Sequence, residues 1–248
     1  MMTDQQALAR RVAVVTGAGR GIGAAIATAL AAAGATVACA ARSREEVEAV
    51  ATRIGAAGGR AFAVAADVGE AEQVAALYGE TVRRAGGLDL LFVNAGVSLD
   101  QKPLEHSDPA AFEETMRVNL TGAYHCARLA IPLMRARGGG RMVMTGSGMG
   151  HSSLHGHAAY SCSKSALWML VRILADELRA DGISVNELVP GPVQTAMTGV
   201  PQRAGSVVNN PVEWLKQPED VVPLAMFLAT HPGPGPTGQS FSLMRRTF

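Results

Sequence analysis

Aromatic residues supply only 4% of this 248-residue chain, six Phe, three Tyr and two Trp, so each phenol or indole is a position to be accounted for. Charge is scarce as well: 17% of residues are charged and the formal net charge is +1. That balance excludes the basic footprint of a nucleic-acid binder and an acidic tail, and leaves small molecules or proteins as partners. The three cysteines, Cys39, Cys126 and Cys162, are odd in number and widely spaced, which excludes a disulfide framework or a paired zinc spacing and fits a reducing cytoplasm. No apolar run reaches the roughly 20 residues that span a bilayer, and the opening MMTDQQALARR lacks an apolar signal core. A soluble, cytoplasmic chain with no membrane partner is expected. Also missing are self-similarity at periods of roughly 20 to 50 residues and any Pro/Ser-rich linker, so residues 1–248 are expected to form a single domain.

What is present is a rhythm of β-rich apolar runs: VAVVT (12–16), TVACA (36–40), AFAVA (61–65), LDLLFV (88–93), RMVMT (141–145), ISVNELV (183–189) and QSFSL (239–243). They lack clean polar alternation, which suits strands covered on both faces, and the Ala/Leu/Glu/Arg stretches between them are long enough for crossover helices. The predicted fold is α/β, a doubly wound parallel sheet with helices on both faces. Two segments break the rhythm, 146–157, rich in Gly, Ser and His, and 196–214, where both periodicities fade; long irregular stretches of this kind usually carry function.

The first run ends in TGAGRGIG, which sets Gly17, Gly21 and Gly23 between a strand and the helical pattern AAIATALAAAG. Glycines in that order let the backbone turn tightly and approach a pyrophosphate, and the N–H groups at the helix start supply positive potential. At the end of the second strand, where a carboxylate would accept bonds from the ribose of NAD, the chain has Ala40, Ala41 and Arg42. A guanidinium there can bind a 2′-phosphate, and Arg20 can face the same group, so NADP(H) is favoured over NAD(H); the alternative makes both arginines solvated surface charges. Asp67 and Val68 follow the third strand. They offer adenine a carboxylate and an apolar wall, and Asp67 equally suits the N-cap of the next helix. Asn94, Ala95 and Gly96 follow the fourth strand, where small residues let the backbone near a ribose.

Tyr160 and Lys164 stand four places apart in AAYSCSKSAL, one turn apart on one face if that stretch is helical, and Ser147 is expected at the end of the preceding strand. A tyrosine ordinarily has a pKa near 10, and lowering it by two to three units takes roughly 3–4 kcal/mol of differential stabilisation. A fixed cation within about 4–6 Å favours the phenolate. Tyr160 is thus placed to exchange a proton with a carbonyl or alcohol oxygen as hydride moves, with Ser147 bonded to the same oxygen.

These residues resemble the short-chain dehydrogenase/reductase family over essentially the whole chain, in the manner of its 3-oxoacyl-carrier-protein reductases. TGAGRGIG is similar to the family's cofactor loop, NAG to its adenine-ribose support, and Ser147 with Tyr160 and Lys164 to its catalytic signature. The resemblance makes Asn119, in VNLTG, a fourth catalytic residue that holds a water linking Lys164 to solvent; a structural role as a helix-kinking residue is compatible with that. It adds Ile22 to the cofactor loop. It also makes PGPVQT the nicotinamide loop, with Pro190, Gly191, the Val193 amide and Thr195. It further implies strand order 3-2-1-4-5-6-7 and a homotetramer packed through helices near 108–136 and 158–180. Val93 departs from the family, where many members have asparagine, and so does the ending SLMRRTF. Arg245 and Arg246 are read there as surface charges, subunit-boundary partners or a reach toward an anionic substrate, with an interface role preferred.

His151, His155 and His157 cluster beside the expected substrate position, but no carboxylate or thiol accompanies them at ligand spacing, so no metal is expected and a pocket lining or solvated loop is. Met197, Val200 and Trp214 mark the 196–215 stretch as a lid. The function expected is an NADP(H)-dependent interconversion of a secondary alcohol and a ketone. The alternatives are an NAD-dependent polyol or sugar dehydrogenase of the same family, a catalytically silent NADP-binding regulator, and an epimerase or dehydratase that recycles its nicotinamide.

Overall fold

The seven apolar runs become seven parallel strands in a computed structural model that describes residues 7–197, 214–233 and 235–245. Val200, Arg246 and most of the expected lid lie outside the described residues. The strands are Val12–Thr16 (β1), Thr36–Ala41 (β2), Arg60–Ala65 (β3), Leu90–Val93 (β4), Gly140–Thr145 (β5), Ile183–Val189 (β6) and Ser240–Ser242 (β7). Their order across the sheet is β3-β2-β1-β4-β5-β6-β7, as the resemblance implied. The main helices are Gly21–Ala32 (α1), Arg44–Ala56 (α2), Ala71–Ala85 (α3), Pro109–Met116 (α4), Gly122–Ala136 (α5), Ala158–Glu177 (α6) and Val222–Thr230 (α7).

Burial explains the absence of alternation in the strands. One face of the sheet, with Val14, Leu91 and Met142, packs under Leu77 and Tyr78 of α3, Cys126 and Ala130 of α5, and Leu167 and Val171 of α6. The other face, with Val15, Phe92 and Val143, packs against Ile26 and Leu30 of α1, Val47 and Ile54 of α2, and Leu228 of α7. A sheet covered on both sides has no solvent face to encode as polar residues. Val93 is buried in the first of these layers, where it fills space between strand and helices.

The strand direction of progress reverses between β1 and β4, which pair in register at Ala13–Leu90 and Val15–Phe92. Such a switch point opens a crevice at the carboxyl ends of the strands. The opposite end is closed by Asp89, whose carboxylate accepts from the Val12 N–H at 2.8 Å and from Arg11 and Arg137.

Asp108 caps α4 through the Ala110 N–H at 3.0 Å, and Pro109 at the first helical position costs the helix no bond. From α4 the chain passes through one π-helical turn, Arg117–Thr121, straight into α5. The kink expected at Asn119 therefore takes the form of one extra residue in the helical ladder. No helix among the described residues is long and apolar enough to cross a membrane.

Candidate active site

The glycine loop follows β1 directly. Gly17 and Gly21 have φ of +65° and +55°, a region closed to most side chains. A Cβ on Gly17 would stand 2.9 Å from the Ala95 Cα and one on Gly23 would overlap the Gly17 carbonyl. A Cβ on Gly21 would stand 3.1 Å from the Thr195 methyl, so the glycine loop and the PGPVQT loop face one another across the mouth of the crevice. Ile22 packs into the core behind the loop.

Asn94 joins three parts of this edge. Its Nδ2 donates to the carbonyls of Thr16 and Gly17, and its Oδ1 accepts from the Thr145 hydroxyl at 3.2 Å. The N–H groups of Asn94 and Ala95 both donate to Thr16 Oγ1, at 3.0 and 3.1 Å. Thr16 and Thr145 thus hold the site from strand ends, a role that strand periodicity does not reveal. Gly96 leaves open the space beside Lys164 Nζ and Asn119 Oδ1, 3.7 and 3.2 Å from where its Cβ would be.

The two arginines expected to meet a 2′-phosphate lie at this edge and each faces a carboxylate. Arg20 donates to Glu46 at 3.2 Å, and Arg42 lies 3.9 Å from Glu114; both guanidinium groups are largely exposed. Asp67 accepts from Arg117 at 2.8 Å and from the Gly69 N–H at 2.9 Å. Burial alone would raise its carboxyl, but the Arg117 bond, the Gly69 N–H and the charges of Arg117 and Arg42 outweigh it and hold the group below the usual carboxylate range. Asp67 does not cap α3, because two further turn residues follow it and that helix begins at Ala71 with Glu70 in the cap position. Val68, 6% exposed, packs on Gly122 rather than standing open as a wall.

In the loop after β6, Gly191 takes φ +68°, and Pro192, Val193 and Gln194 run beside Lys216. The Lys216 N–H donates to Pro192 O at 3.0 Å and the Gln194 N–H to Lys216 O at 2.8 Å. Lys216 is buried with its ammonium 4.7 Å from the Trp214 ring centre, and the exposed Arg245 stacks on the same ring at 4.8 Å. Nothing in the local sequence marks Lys216 as part of this loop, since its pairing crosses the segment 196–215.

Ser147, Tyr160, Lys164 and Asn119 do come together. Ser147 lies two residues beyond β5 rather than ending it, and its Oγ accepts from the Met149 N–H at 3.2 Å, capping a short 3₁₀ turn. Its side chain lies near enough to the Tyr160 phenol to oppose the effect of burial on that group. Lys164 is buried, with Nζ 5.8 Å from the Tyr160 ring centre and donating to Thr145 O at 2.7 Å. Asn119 brackets Val97, accepting its N–H at 2.8 Å and donating to its carbonyl at 2.9 Å, and donates also to Ser163 Oγ at 3.0 Å. Burial pushes the Tyr160 phenol above its ordinary value, with Ser147 opposing, so the lysine at this spacing does not by itself make the phenol acidic. Burial likewise pushes Lys164 down to about 8, with Glu187 opposing.

The histidines part company. His155 is exposed, and His157 is buried, its imidazole pushed down by burial. His151 turns inward and its Nε2 lies 2.8 Å from Glu187 Oε2, so a carboxylate does accompany it, from 36 residues away on β6. Among the described residues no three His, Cys, Asp or Glu side chains are grouped to hold a metal.

The family model described as "short chain dehydrogenase" matches residues 11–204. The chain is a short-chain dehydrogenase. It is 38% identical over 238 residues to a short-chain type dehydrogenase/reductase of Picea abies, covering 91% of this chain and 88% of that one. It is 36% identical over 239 residues to a 3-oxoacyl-[acyl-carrier-protein] reductase of Synechocystis, covering 96% of each. A crystal structure of a short-chain type dehydrogenase/reductase from Mycobacterium marinum superimposes with a TM-score of 0.91 at 29% identity, over 98% of this chain and 97% of that one. The short-chain dehydrogenases are oxidoreductases of alcohol and carbonyl groups that bind a nicotinamide cofactor, and this chain shares their fold and their sequence.

Proposed function

We propose that this short-chain dehydrogenase is one catalytic domain that interconverts a secondary alcohol and a ketone with NADP(H), Tyr160 being the general acid and base. The observation that carries this reading is the meeting of Ser147, Tyr160, the buried Lys164 and Asn119 at one strand edge, with Lys164 Nζ 5.8 Å from the Tyr160 ring centre and both Lys164 and Asn119 beside Gly96. The residues fit the cofactor: a cradle that a Cβ would fill at Gly17 and Gly23, Arg20 in that loop with Arg42 at the end of β2, and a facing loop at Pro190–Thr195 with Gly191, Val193 and Thr195. When bound, the nicotinamide supplies or takes the hydride. Everything else falls to the protein. Ser147 holds the substrate oxygen, Tyr160 gives it a proton in reduction and takes one in oxidation, and Lys164 favours the phenolate that is left. Asn119, fixed on Val97, lines the route by which Lys164 regains a proton.

Arg42 and Arg20 support NADP(H) over NAD(H). Their pairs with Glu114 and Glu46 are exposed and therefore weak, so a doubly charged phosphate competes for both guanidinium groups. Asp67 has acceptor capacity left for an adenine amino group. Exposed Tyr124 on α5 with Met169 and Ile173 on α6 support a homotetramer packed through those helices, and the free thiols Cys39, Cys126 and Cys162 support a reducing, cytoplasmic setting.

The test is a nicotinamide absorbance assay across ketones, polyols and 3-oxoacyl thioesters. The wild type turns over at least one class, and Tyr160→Phe lowers kcat by about 10²–10⁴-fold while still binding the cofactor. Undiminished turnover in that variant removes Tyr160 from the mechanism.

A further inference from the structure

Glu187 is an ionisable residue in β6, the strand next to the sheet's edge, with no solvent-exposed surface. It sits in β6 beside Met144 of β5, in a run otherwise fit for burial on both faces. Its Oε2 lies 2.8 Å from His151 Nε2 and accepts from the Ser240 hydroxyl of β7. With the imidazole in its Nε2–H tautomer both groups donate to the one oxygen, the bonding pattern of a carboxylate. The other oxygen, Oε1, is buried and has no hydrogen-bond partner among the described residues. It lies against Gly146, where any Cβ would overlap it.

A half-satisfied carboxylate in the interior either takes up a proton or is balanced by a cation within reach. Lys164 is within reach, across a single peptide link. The peptide link between Thr145 and Gly146 carries the Lys164 ammonium on its Thr145 carbonyl at 2.7 Å, while Glu187 packs on its Gly146 side. Among the described residues, the charged or titratable groups facing Glu187 are His151 from the loop after β5 and Lys164 from α6, with the Ser240 hydroxyl from β7 and the Gly146 backbone after β5. Around Lys164 itself, α6 presents Tyr160, the segment Arg117–Thr121 the Asn119 amide, and the loop after β4 the backbone of Gly96. The His151 ring is fixed in turn by an edge contact with Trp168, ring centres 5.3 Å apart, one turn along α6 from Lys164.

We propose that Glu187, held by His151 and Ser240, is a positioning residue for Lys164: its carboxylate is the counter-charge that keeps the buried lysine an ammonium beside Tyr160. This rests on the reading of Lys164 as part of the proton path. Glu187 touches no reacting atom. It acts through the charge state of the lysine, in the direction in which it already opposes the effect of burial on that group. His151 and Gly146 are parts of the same device, one orienting the carboxylate and the other leaving room for it.

The chain has three lysines, Lys102, Lys164 and Lys216, so a protein carrying ¹³C-labelled lysine gives three side-chain titrations, that of Lys164 identified by its loss in Lys164→Arg. In Glu187→Gln, which keeps the shape and removes the charge, Lys164 should bind its proton about tenfold or more weakly than in the wild type, with Lys102 unmoved. In parallel, the alkaline limb of kcat for ketone reduction should move to lower pH, with the KM for the cofactor unchanged. Should Glu187→Gln not fold, Glu187→Asp draws the charge back by one methylene and should give a smaller fall in the same direction. A Lys164 midpoint equal to the wild type's in whichever variant folds overturns the proposal. The titration needs no turnover, so a chain that reduces no carbonyl compound would refute the enzymatic reading and still leave the Glu187–Lys164 link decided.

Discussion

Lys164 lies beside the Tyr160 ring, 5.8 Å from its centre, and spends its hydrogen bond on the Thr145 carbonyl rather than on the phenol hydroxyl. From that position a lysine can act on the phenol only through its field, and only while it holds its proton. Burial brings that proton off at about 8. Ketone reduction, followed as kcat/KM, should fall as pH rises through that value, and Lys164→Arg should move the fall to higher pH; a profile flat to about pH 10 contradicts this. Stability should move the opposite way. Between about 8 and the ordinary 10.5 the unfolded chain binds a proton that the native chain has released, so the native state gains as pH rises. The wild type should gain on Lys164→Met in denaturant titrations across that window.

Cofactor choice is predicted to turn on Arg42. Replacing it by Asp brings a carboxylate toward the 2′-phosphate and removes a charge-assisted bond, so NADP(H) affinity should drop about 10–100-fold while NAD(H) affinity holds or improves. Binding titrations with both cofactors check this, and an unchanged preference defeats the phosphate argument.

Gly23→Ala should disrupt the cradle, because the added methyl overlaps the Gly17 carbonyl. Cofactor affinity should fall at least about tenfold and the melting temperature should drop. Gly55→Ala is the control, as that glycine lies within α2 and has open space around it. It should stabilise the chain by about 0.5–1 kcal/mol and leave cofactor binding alone.

Arg117 ties the end of β3 to α4 through Asp67 at 2.8 Å, Glu70 at 3.0 Å and Glu114 at 2.6 Å. Its bonds hold the Glu114 and Asp67 carboxyls low. Groups with depressed pKa stabilise the fold above the ordinary carboxylate range and lose that contribution as pH falls through their folded values. Arg117→Met should therefore cost about 1–2 kcal/mol near neutrality, and the deficit should shrink below about pH 4. A deficit independent of pH would mean that packing of the guanidinium, not its charge, is what matters.

The strands were legible because burial on both faces leaves runs without polar alternation, and the meeting of Tyr160 with Lys164 because a helix fixes what four residues apart means. Contacts that depend on register were not legible. Glu187 reads as one polar letter in ISVNELV, and only the pairing of β6 with β5 and β7 brings it to His151, Gly146 and Ser240. Thr16 is the last letter of VAVVT, and its support of Asn94 crosses 78 positions. Asp67 has the composition of a helix cap without the position of one, because α3 starts only at Ala71, and its carboxylate goes instead to Arg117, 50 residues on. The low acidity of Tyr160 follows from desolvation, which spacing along a helix does not report.

The π turn at Arg117–Thr121 fixes the phase between two helices that otherwise form one rod. Each residue of an α-helix turns the chain by about 100°, so deleting one position there would regularise the ladder and rotate everything after it by that angle. Gly122 would swing away from Val68, and the apolar side of α5 would leave the sheet. The irregularity is thus a phase setting: it aligns the Arg117 contact with Asp67 and the Asn119 contact with Val97, both made from within the turn, with an α5 whose apolar side meets the sheet.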